Sequence, residues 1–326
     1  MEHWQRRVIV GFVLGLAVVL VVILLADLPK TLAAFARWQW AFLPVALAFT
    51  AGNYALRFLR WHYYLRVLGI RDVPWGESLL VFLAGFTMTM TPGKLGEVLK
   101  SFLLKQSRGR PLSETAPIVV AERLTHVLAM VMLASLGLAT IGPAGWPALL
   151  LVLIICVAFI VVVQSRRLSL PLLRWGARLP LVGRFAASFQ TFYESSYRLL
   201  RPVPLLVALG LALAAWFGEC LTFLVVVLGG FAGGSLITPE LLLQTTFVYA
   251  GASLLGAVSF LPGGLGVTEG GMAMALVTLL GLSAEDAAAA TLLTRFCTLW
   301  FAVFLGLGAL VIFQRRAARG TAEDGR

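Results

Sequence analysis

The sequence is dominated by uncharged apolar runs that are long enough to cross a lipid bilayer. Crossing about 30 Å of hydrocarbon takes about 20 helical residues. Helices satisfy their backbone polar groups internally, and the ten-residue alternating pattern of a membrane β-barrel does not occur. We therefore predict an all-α polytopic membrane protein. The predicted full spans are Val8–Ala26, Ala41–Leu59, Ala116–Thr140, Trp146–Val163, Leu205–Leu228 and Ala287–Phe313.

The composition argues against a soluble protein and against nucleic-acid binding. Charged residues make up only 13% of the chain, whereas soluble domains have about 25%. The formal net charge of +11 is explained better by basic cytoplasmic loops than by a nucleic-acid partner. Cys156, Cys220 and Cys297 lie in apolar runs without a CxxC pair, which is typical of buried small residues. We expect no nucleic acid, no metal and no cofactor.

The distribution of Lys and Arg predicts the orientation in the membrane. Loops that carry an excess of these residues remain in the cytoplasm. If both termini are cytoplasmic, Lys30 and Arg37 are the basic loop residues left outside. We therefore predict a multi-pass protein of the cytoplasmic (inner) membrane. The basic segment Gln164–Pro204 is predicted to form amphipathic helices on the anionic leaflet, with a solvated loop as the alternative.

Aromatic residues flank the predicted span Ala41–Leu59 on both sides. Such residues commonly form a belt at the interface between lipid and water. His62 lies among them and is also predicted to be interfacial. The aromatic residues are Trp38, Trp40, Trp61, Tyr63 and Tyr64.

Two similar Pro-Gly sequences interrupt apolar stretches: TPGKLGE at Thr91–Glu97 and LPGGLGVTE at Leu261–Glu269. The limbs around the first have ten to twelve residues, or roughly 15–18 Å of helix, which is about half of the hydrocarbon thickness. This length favours a re-entrant hairpin over one kinked span. Leu241–Leu261, before the second, is long enough to cross fully, so the second element is either a hairpin or two spans.

The two Pro-Gly elements begin similar halves of the chain. Arg123 and Arg295 each lie inside an apolar run, 26 residues after Glu97 and Glu269. On the predicted topology the elements enter from opposite faces, which gives an inverted repeat, an architecture that transporters use. We expect a single integral membrane domain in five parts. These are a first span with its outer loop (1–40), the first repeat (41–140), a linking span with the basic segment (141–204), the inverted second repeat (205–313) and a basic tail (314–326).

Charged side chains at membrane depth need a partner or a function. Guanidinium groups bind phosphate bidentately, and the helix N-termini that follow the Pro-Gly turns offer N–H groups to an anion. These features favour an anion site, with structural ion pairs as the alternative. The predicted substrate-binding residues are Lys94, Glu97, Arg123, Glu269, Arg295, Gly93, Gly263 and Gly264, supported by Arg57, Lys100, Glu122 and Glu219.

Four segments resemble the flippase-like family named after the transmembrane region of lysylphosphatidylglycerol synthase. They are TPGKLGEVLKSFLL (Thr91–Leu104), AERL (Ala121–Leu124), FLPGGLGVTEGG (Phe260–Gly271) and GLSAEDAAAATLLTR (Gly281–Arg295). The resemblance implies a bacterial or archaeal membrane protein that moves an anionic or aminoacylated phospholipid, or a polyprenyl lipid, between leaflets. The full synthases of the family append a cytosolic domain that transfers lysine. This chain ends at Arg326, soon after its last predicted span, so we expect a stand-alone member that is not an enzyme.

The leading hypothesis is a lipid translocator whose partner is an anionic membrane lipid. A transporter of small soluble anions is the first alternative. The second is a membrane scaffold that recruits a peripheral lipid-modifying enzyme through the basic segment around Arg166–Arg201. The sequence indicates no particular oligomeric state.

Overall fold

The computed structural model describes residues 28–89, 97–141, 146–169, 186–231, 237–259 and 261–323. These residues form helices joined by short loops, and none of them belongs to a β-strand. The helices Ala284–Arg295 and Phe301–Glu323 are continuous through a π-helical turn, Phe296–Trp300. The helices are α1 (Leu28–Arg37), α2 (Leu43–Val67), α3 (Trp75–Ala84), α4 (Leu99–Arg108), α5 (Leu112–Ile141), α6 (Trp146–Gln164), α7 (Ala186–Leu199), α8 (Pro202–Leu228), α9 (Pro239–Val258), α10 (Val267–Leu280), α11 (Ala284–Arg295) and α12 (Phe301–Glu323).

Seven helical segments of the described chain are long and apolar enough to span a membrane. This confirms the prediction of an all-α polytopic membrane protein. The predicted first span, Val8–Ala26, lies outside the described residues. The spanning segments are Trp40–Val67, Leu112–Leu138, Trp146–Gln164, Pro202–Leu228, Pro239–Val258, Pro262–Leu280 and Ala284–Arg316.

Helix α2 continues to Val67, so the predicted end of its span at Leu59 is wrong. The predicted aromatic belt is also wrong for Trp38, Trp61 and Tyr64, which are buried in the protein. His62 is buried as well: its ring lies 4.4 Å from the ring of Trp75, and its Nδ1 is 3.2 Å from the hydroxyl of Ser78. His62 packs against α3, which folds back beside the end of α2. Trp61 lies beside Lys100 of α4, and Trp38 packs against Gly229 and Gly230 after α8. An aromatic flank has the same appearance in sequence whether it faces lipid or a returning helix.

The two Pro-Gly elements differ in length. The first contains a short apolar helix, Trp75–Met88, and the ten-residue helix α4. Its predicted hairpin turn at Pro92-Gly93 lies outside the described residues. The second contains Pro239–Val258 and Pro262–Leu280, each long enough to span by length and composition. The turn between them uses positive φ angles at Gly263 and Gly264, a conformation that glycine adopts without steric cost.

The two halves pack against each other reciprocally. Helix α3 of the first half packs against α12 of the second, α9 of the second packs against α5 of the first, and α2 and α8 contact each other. Glycines allow the close crossings: a Cβ atom on Gly137 would lie 2.3 Å from the carbonyl oxygen of Leu243. A Cβ atom on Gly306 would lie 2.6 Å from the backbone nitrogen of Thr87. Small residues at such positions are typical of membrane helix pairs.

Ion pairs gather the loops at the two ends of α2. Arg37 pairs with Asp286 at 2.8 Å, which brings the N-terminus of α11 to the beginning of α2. At the other end Arg110 pairs with Asp72 at 2.6 Å and holds the pKa of that carboxyl below its ordinary value. A 25-residue helix separates these ends by about 37 Å. The assignment of these ends to the two sides of a membrane, and the inverted repeat with it, stays a prediction.

Cysteine labelling tests that assignment. We expect Ser107→Cys to be labelled from the cytoplasmic side and Ala284→Cys from the outside, because both positions are exposed and flank the loops predicted to lie on opposite faces. The background is a variant without Cys156, Cys220 and Cys297. Labelling of both positions from the same side would contradict the inverted repeat.

Replacement of the crossing glycines tests the reciprocal packing. Gly137→Ala and Gly306→Ala should each destabilise the protein by about 1–3 kcal/mol, because the added methyl group overlaps the backbone of the facing segment. Gly210→Ala is the matched control: this helical glycine of α8 has open space around its Cβ position, so the better helix propensity of alanine should leave stability unchanged or raised. Thermal unfolding in detergent measures all three. Equal stability of the three variants would rule out close crossings at these glycines.

Candidate functional site

Two glutamate–arginine ion pairs have the same spacing in the sequence. Arg123 of α5 contacts Glu97, and Arg295 of α11 contacts Glu269. In both pairs the arginine follows its glutamate by 26 residues, so the spacing noted in the sequence corresponds to direct contacts. Each pair ties a Pro-Gly element to the long helix that follows it. A pair of opposite charges is how proteins keep such groups inside a membrane.

The second ion pair is closed by backbone groups. The Nε of Arg295 donates to Oε1 of Glu269 at 2.6 Å, and its Nη2 donates to the carbonyl oxygen of Gly263 at 2.9 Å. The other carboxylate oxygen of Glu269 accepts from the backbone N–H of Gly266 at 2.7 Å, which caps the start of α10. Gly264 donates its N–H to Leu261 at 2.9 Å. The sequence predicted that amides of this turn would be offered to a ligand, but these two are bonded within the turn.

The first ion pair is more open. The side chain of Arg123 is 27% exposed, against 11% for Arg295. Glu97 also lies 4.0 Å from the guanidinium of Arg57, which is longer than a hydrogen bond. Arg57 lies over the rings of Phe86 and Trp216, 5.1 and 5.8 Å from their centres. The predicted site residues Gly93 and Lys94 lie outside the described residues.

Lys100 and Glu122 form a separate buried pair beside the first one. Their Nζ–Oε2 distance is 2.5 Å, and both side chains are almost fully buried. The ammonium also lies 4.6 Å from the ring centre of Trp61. Gly85 provides the space for the lysine stem, since a Cβ atom there would lie 2.7 Å from Cγ of Lys100. These two predicted supporting residues therefore neutralise each other.

Arg60 belongs to the same cluster and was missed by the sequence reasoning. Only 2% of this residue is exposed. Its Nη1 donates to the hydroxyl of Thr125 at 3.3 Å, and its Nε has no hydrogen-bond partner among the described residues. The available signal was the spacing to Arg57, because residues three apart share a helix face. Because the span was predicted to end at Leu59, Arg60 lay outside it and was not counted among the charges at membrane depth.

A polar cavity of about 60 Å³ lies between the two ion pairs. Both halves line it, and it brings together six residues from the predicted set: Arg57, Glu97, Glu219, Gly263, Gly264 and Arg295. The hydroxyl of Tyr249 donates to Glu219 at 2.5 Å on one wall. This volume holds a few water molecules. The further lining residues Tyr54, His126 and Tyr249 carry no charge pattern that separates them in sequence from ordinary core residues.

The described residues contain no group of three or more His, Cys, Asp or Glu side chains positioned to hold a metal ion. The three cysteines are buried and reduced. The cavity offers charged groups and hydrogen-bonding groups to a ligand. Its cations suit an anion, and its carboxylates and hydroxyls suit ammonium or hydroxyl groups.

The described part of the basic segment is folded onto the helices. Arg166 pairs with Glu194 of α7 at 3.1 Å, and both Arg166 and Arg201 lie over the ring of Tyr197. The predicted membrane-facing residues Arg174, Arg178 and Arg184 lie outside the described residues. Binding of this segment to an anionic leaflet stays a prediction.

Comparisons with known proteins place these features in a family. The family model described as the lysylphosphatidylglycerol synthase TM region matches residues 12–306. A UPF0104 membrane protein of Pyrococcus horikoshii is similar over 93% of this chain and 96% of its own length, at 25% identity. The matched range contains both Pro-Gly elements, both glutamate–arginine pairs and the cavity between them. The chain belongs to the family of the lysylphosphatidylglycerol synthase transmembrane region.

Proposed function

We propose that this protein moves an anionic or aminoacylated phospholipid, or a polyprenyl-linked lipid, between the leaflets of the membrane. The observation behind the proposal is the polar cavity flanked by the Glu97–Arg123 and Glu269–Arg295 pairs, within helices long enough to span. Charged groups are costly inside hydrocarbon, so a cavity that contains several of them is a candidate path for a polar headgroup.

A lipid substrate is favoured by the position of the cavity against helix α9, near the end of that helix. Gly256 and Ala257 line the cavity, whereas their neighbours Leu255 and Val258 are more than half exposed on the outside of the protein. In a membrane those exposed side chains face lipid. A headgroup that enters here stays connected to acyl chains in the surrounding hydrocarbon. A soluble anion has no acyl chains, so its carrier has no need for a cavity next to the lipid-facing side of a helix.

The ion pairs suggest how the helices around the cavity are held together. Each arginine links a Pro-Gly element to a long helix of its own half, and the halves contact each other through the glycine crossings. Movement of one half against the other would change the cavity without breaking either link. Transporters built from two related halves commonly work by such rocking around a shared site.

Lipid exposure in reconstituted vesicles tests the proposal. We expect the wild-type protein to move a fluorescent anionic phospholipid between leaflets, Arg123→Gln to be inactive and Arg123→Lys to be partly active. Lysine keeps the charge but loses the bidentate fork of the guanidinium. Arg37→Gln is the control, since Arg37 forms an exposed ion pair at one end of the helices. Wild-type rates for Arg123→Gln at normal protein levels would refute the assigned role of Arg123.

The same vesicles separate the alternatives. Saturable uptake of phosphate without lipid movement would support a transporter of small anions. A scaffold would show neither lipid movement nor phosphate uptake. It would also lose its bound enzyme after neutralisation of Arg166 and Arg201.

The role of the Glu269–Arg295 pair can be tested through the stability of the protein. Arg295→Gln should lower thermal stability by about 3–5 kcal/mol, because it leaves Glu269 buried without its cation. Adding Glu269→Gln should restore most of that loss, since two neutral amides can still hydrogen-bond to each other and to the turn. Thermal unfolding of the single and double variants measures this coupling. Additive losses in the double variant would show that the two side chains do not act as a pair.

A further inference from the structure

We propose that the anionic part of the substrate, its phosphoryl group, binds at the first ion pair alone, to Arg57, Arg60 and Arg123, and that Glu97 competes with it. This deepens the proposed function and rests on it for the lipid origin of the phosphoryl group. The two glutamate–arginine pairs are then equivalent in sequence position but different in role. The first is a ligand site, and the second is a structural clasp.

The balance of charge distinguishes the two pairs. Around the first, the described residues supply four cations and two carboxylates, and the cluster has a net charge of +2 with His126 neutral. Lys100 and Glu122 neutralise each other, so the excess belongs to the three arginines around Glu97. Around the second, Arg295 faces Glu269, and Glu219 adds a further carboxylate to the same cavity. The excess of positive charge therefore favours an anion at the first pair over the second.

The availability of donors leads to the same assignment. Arg295 uses Nε and Nη2 on Glu269 and Gly263. By contrast, the Nε of Arg60 is buried without a partner among the described residues, and Arg57 reaches Glu97 only at 4.0 Å. A buried donor without an acceptor is unfavourable. A phosphoryl group has several strong acceptor oxygens and would satisfy these donors with charge-assisted hydrogen bonds.

The space at the cluster explains the role of Glu97. The three arginines surround a gap of about 10 Å³, the size of one water molecule, which adjoins the larger cavity at Arg57 and Glu97. A phosphoryl group fits only if the Glu97 carboxylate leaves Arg123. The carboxylate thus occupies the position of the anion when the site is empty. Such internal competition weakens binding and helps release, which a translocator needs as much as binding.

Binding measurements on the purified protein in detergent test this assignment with two probes: inorganic phosphate and dihexanoyl phosphatidylglycerol, a short-chain phospholipid. Ligand-induced thermal stabilisation gives the affinities. We expect Arg60→Gln to weaken phospholipid binding at least tenfold and Glu97→Gln to strengthen it. Arg108→Gln should leave it unchanged, because Arg108 belongs to a partly exposed pair with Glu77 outside the cluster. If Arg60→Gln does not fold, Arg60→Lys replaces it, with weaker binding expected.

The outcomes decide the proposal. If both probes bind the variants with the expected changes in affinity, the proposal is supported and the phosphoryl group is the common feature. If only the phospholipid shows these changes, the proposal is also supported. A response to inorganic phosphate alone overturns it, because the source is then a free anion. Weaker binding by a folded Glu97→Gln also overturns it, since competition predicts the opposite sign. A wild-type protein that moves no lipid in vesicles refutes the proposed function separately, whatever the binding pattern.

Discussion

The constraint that shapes this protein is the cost of charge inside a membrane. A chain with only 13% charged residues places five cations and four carboxylates around its central cavity. The three ion pairs Glu97–Arg123, Lys100–Glu122 and Glu269–Arg295 make this arrangement tolerable. Each pair joins segments that are distant in sequence, so charge compensation and tertiary structure depend on each other. Removal of one partner leaves the other as an isolated buried charge, which is a large penalty.

The helices around these charges are held by close backbone contact. Gly137 and Gly306 sit where a long helix of one half crosses the Pro-Gly element of the other half. In a membrane the apolar surfaces gain little by leaving lipid, so packing and polar contacts decide which helices associate. In the proposed rocking movement, a displacement of one Pro-Gly element would be passed through these crossings to the long helix of the opposite half.

The sequence was sufficient for the all-α membrane class and for the position of several spans. The span Trp146–Val163 agrees with α6 to within one residue, because an uncharged run bounded by turns has only one helical solution. The shared 26-residue spacing was interpreted as a sign of a repeat, and in the structure it corresponds to two direct glutamate–arginine contacts. In contrast, the end of α2 was misplaced because Arg60 and Trp61 look interfacial in sequence, although tertiary packing buries them. The different surroundings of Arg123 and Arg295 depend on Arg57, Arg60 and Gly263, and only the folded structure brings these together.

Two charge-neutral double variants test the central claim, that the first pair binds the substrate and the second holds the fold. Glu97→Gln with Arg123→Gln and Glu269→Gln with Arg295→Gln make the same chemical change at two pairs that share the same spacing in sequence. Lipid exposure in vesicles with equal amounts of folded protein is the measurement. The account predicts that the second double variant retains transport and the first loses it. Equal transport by the two, or transport by the first alone, would contradict it.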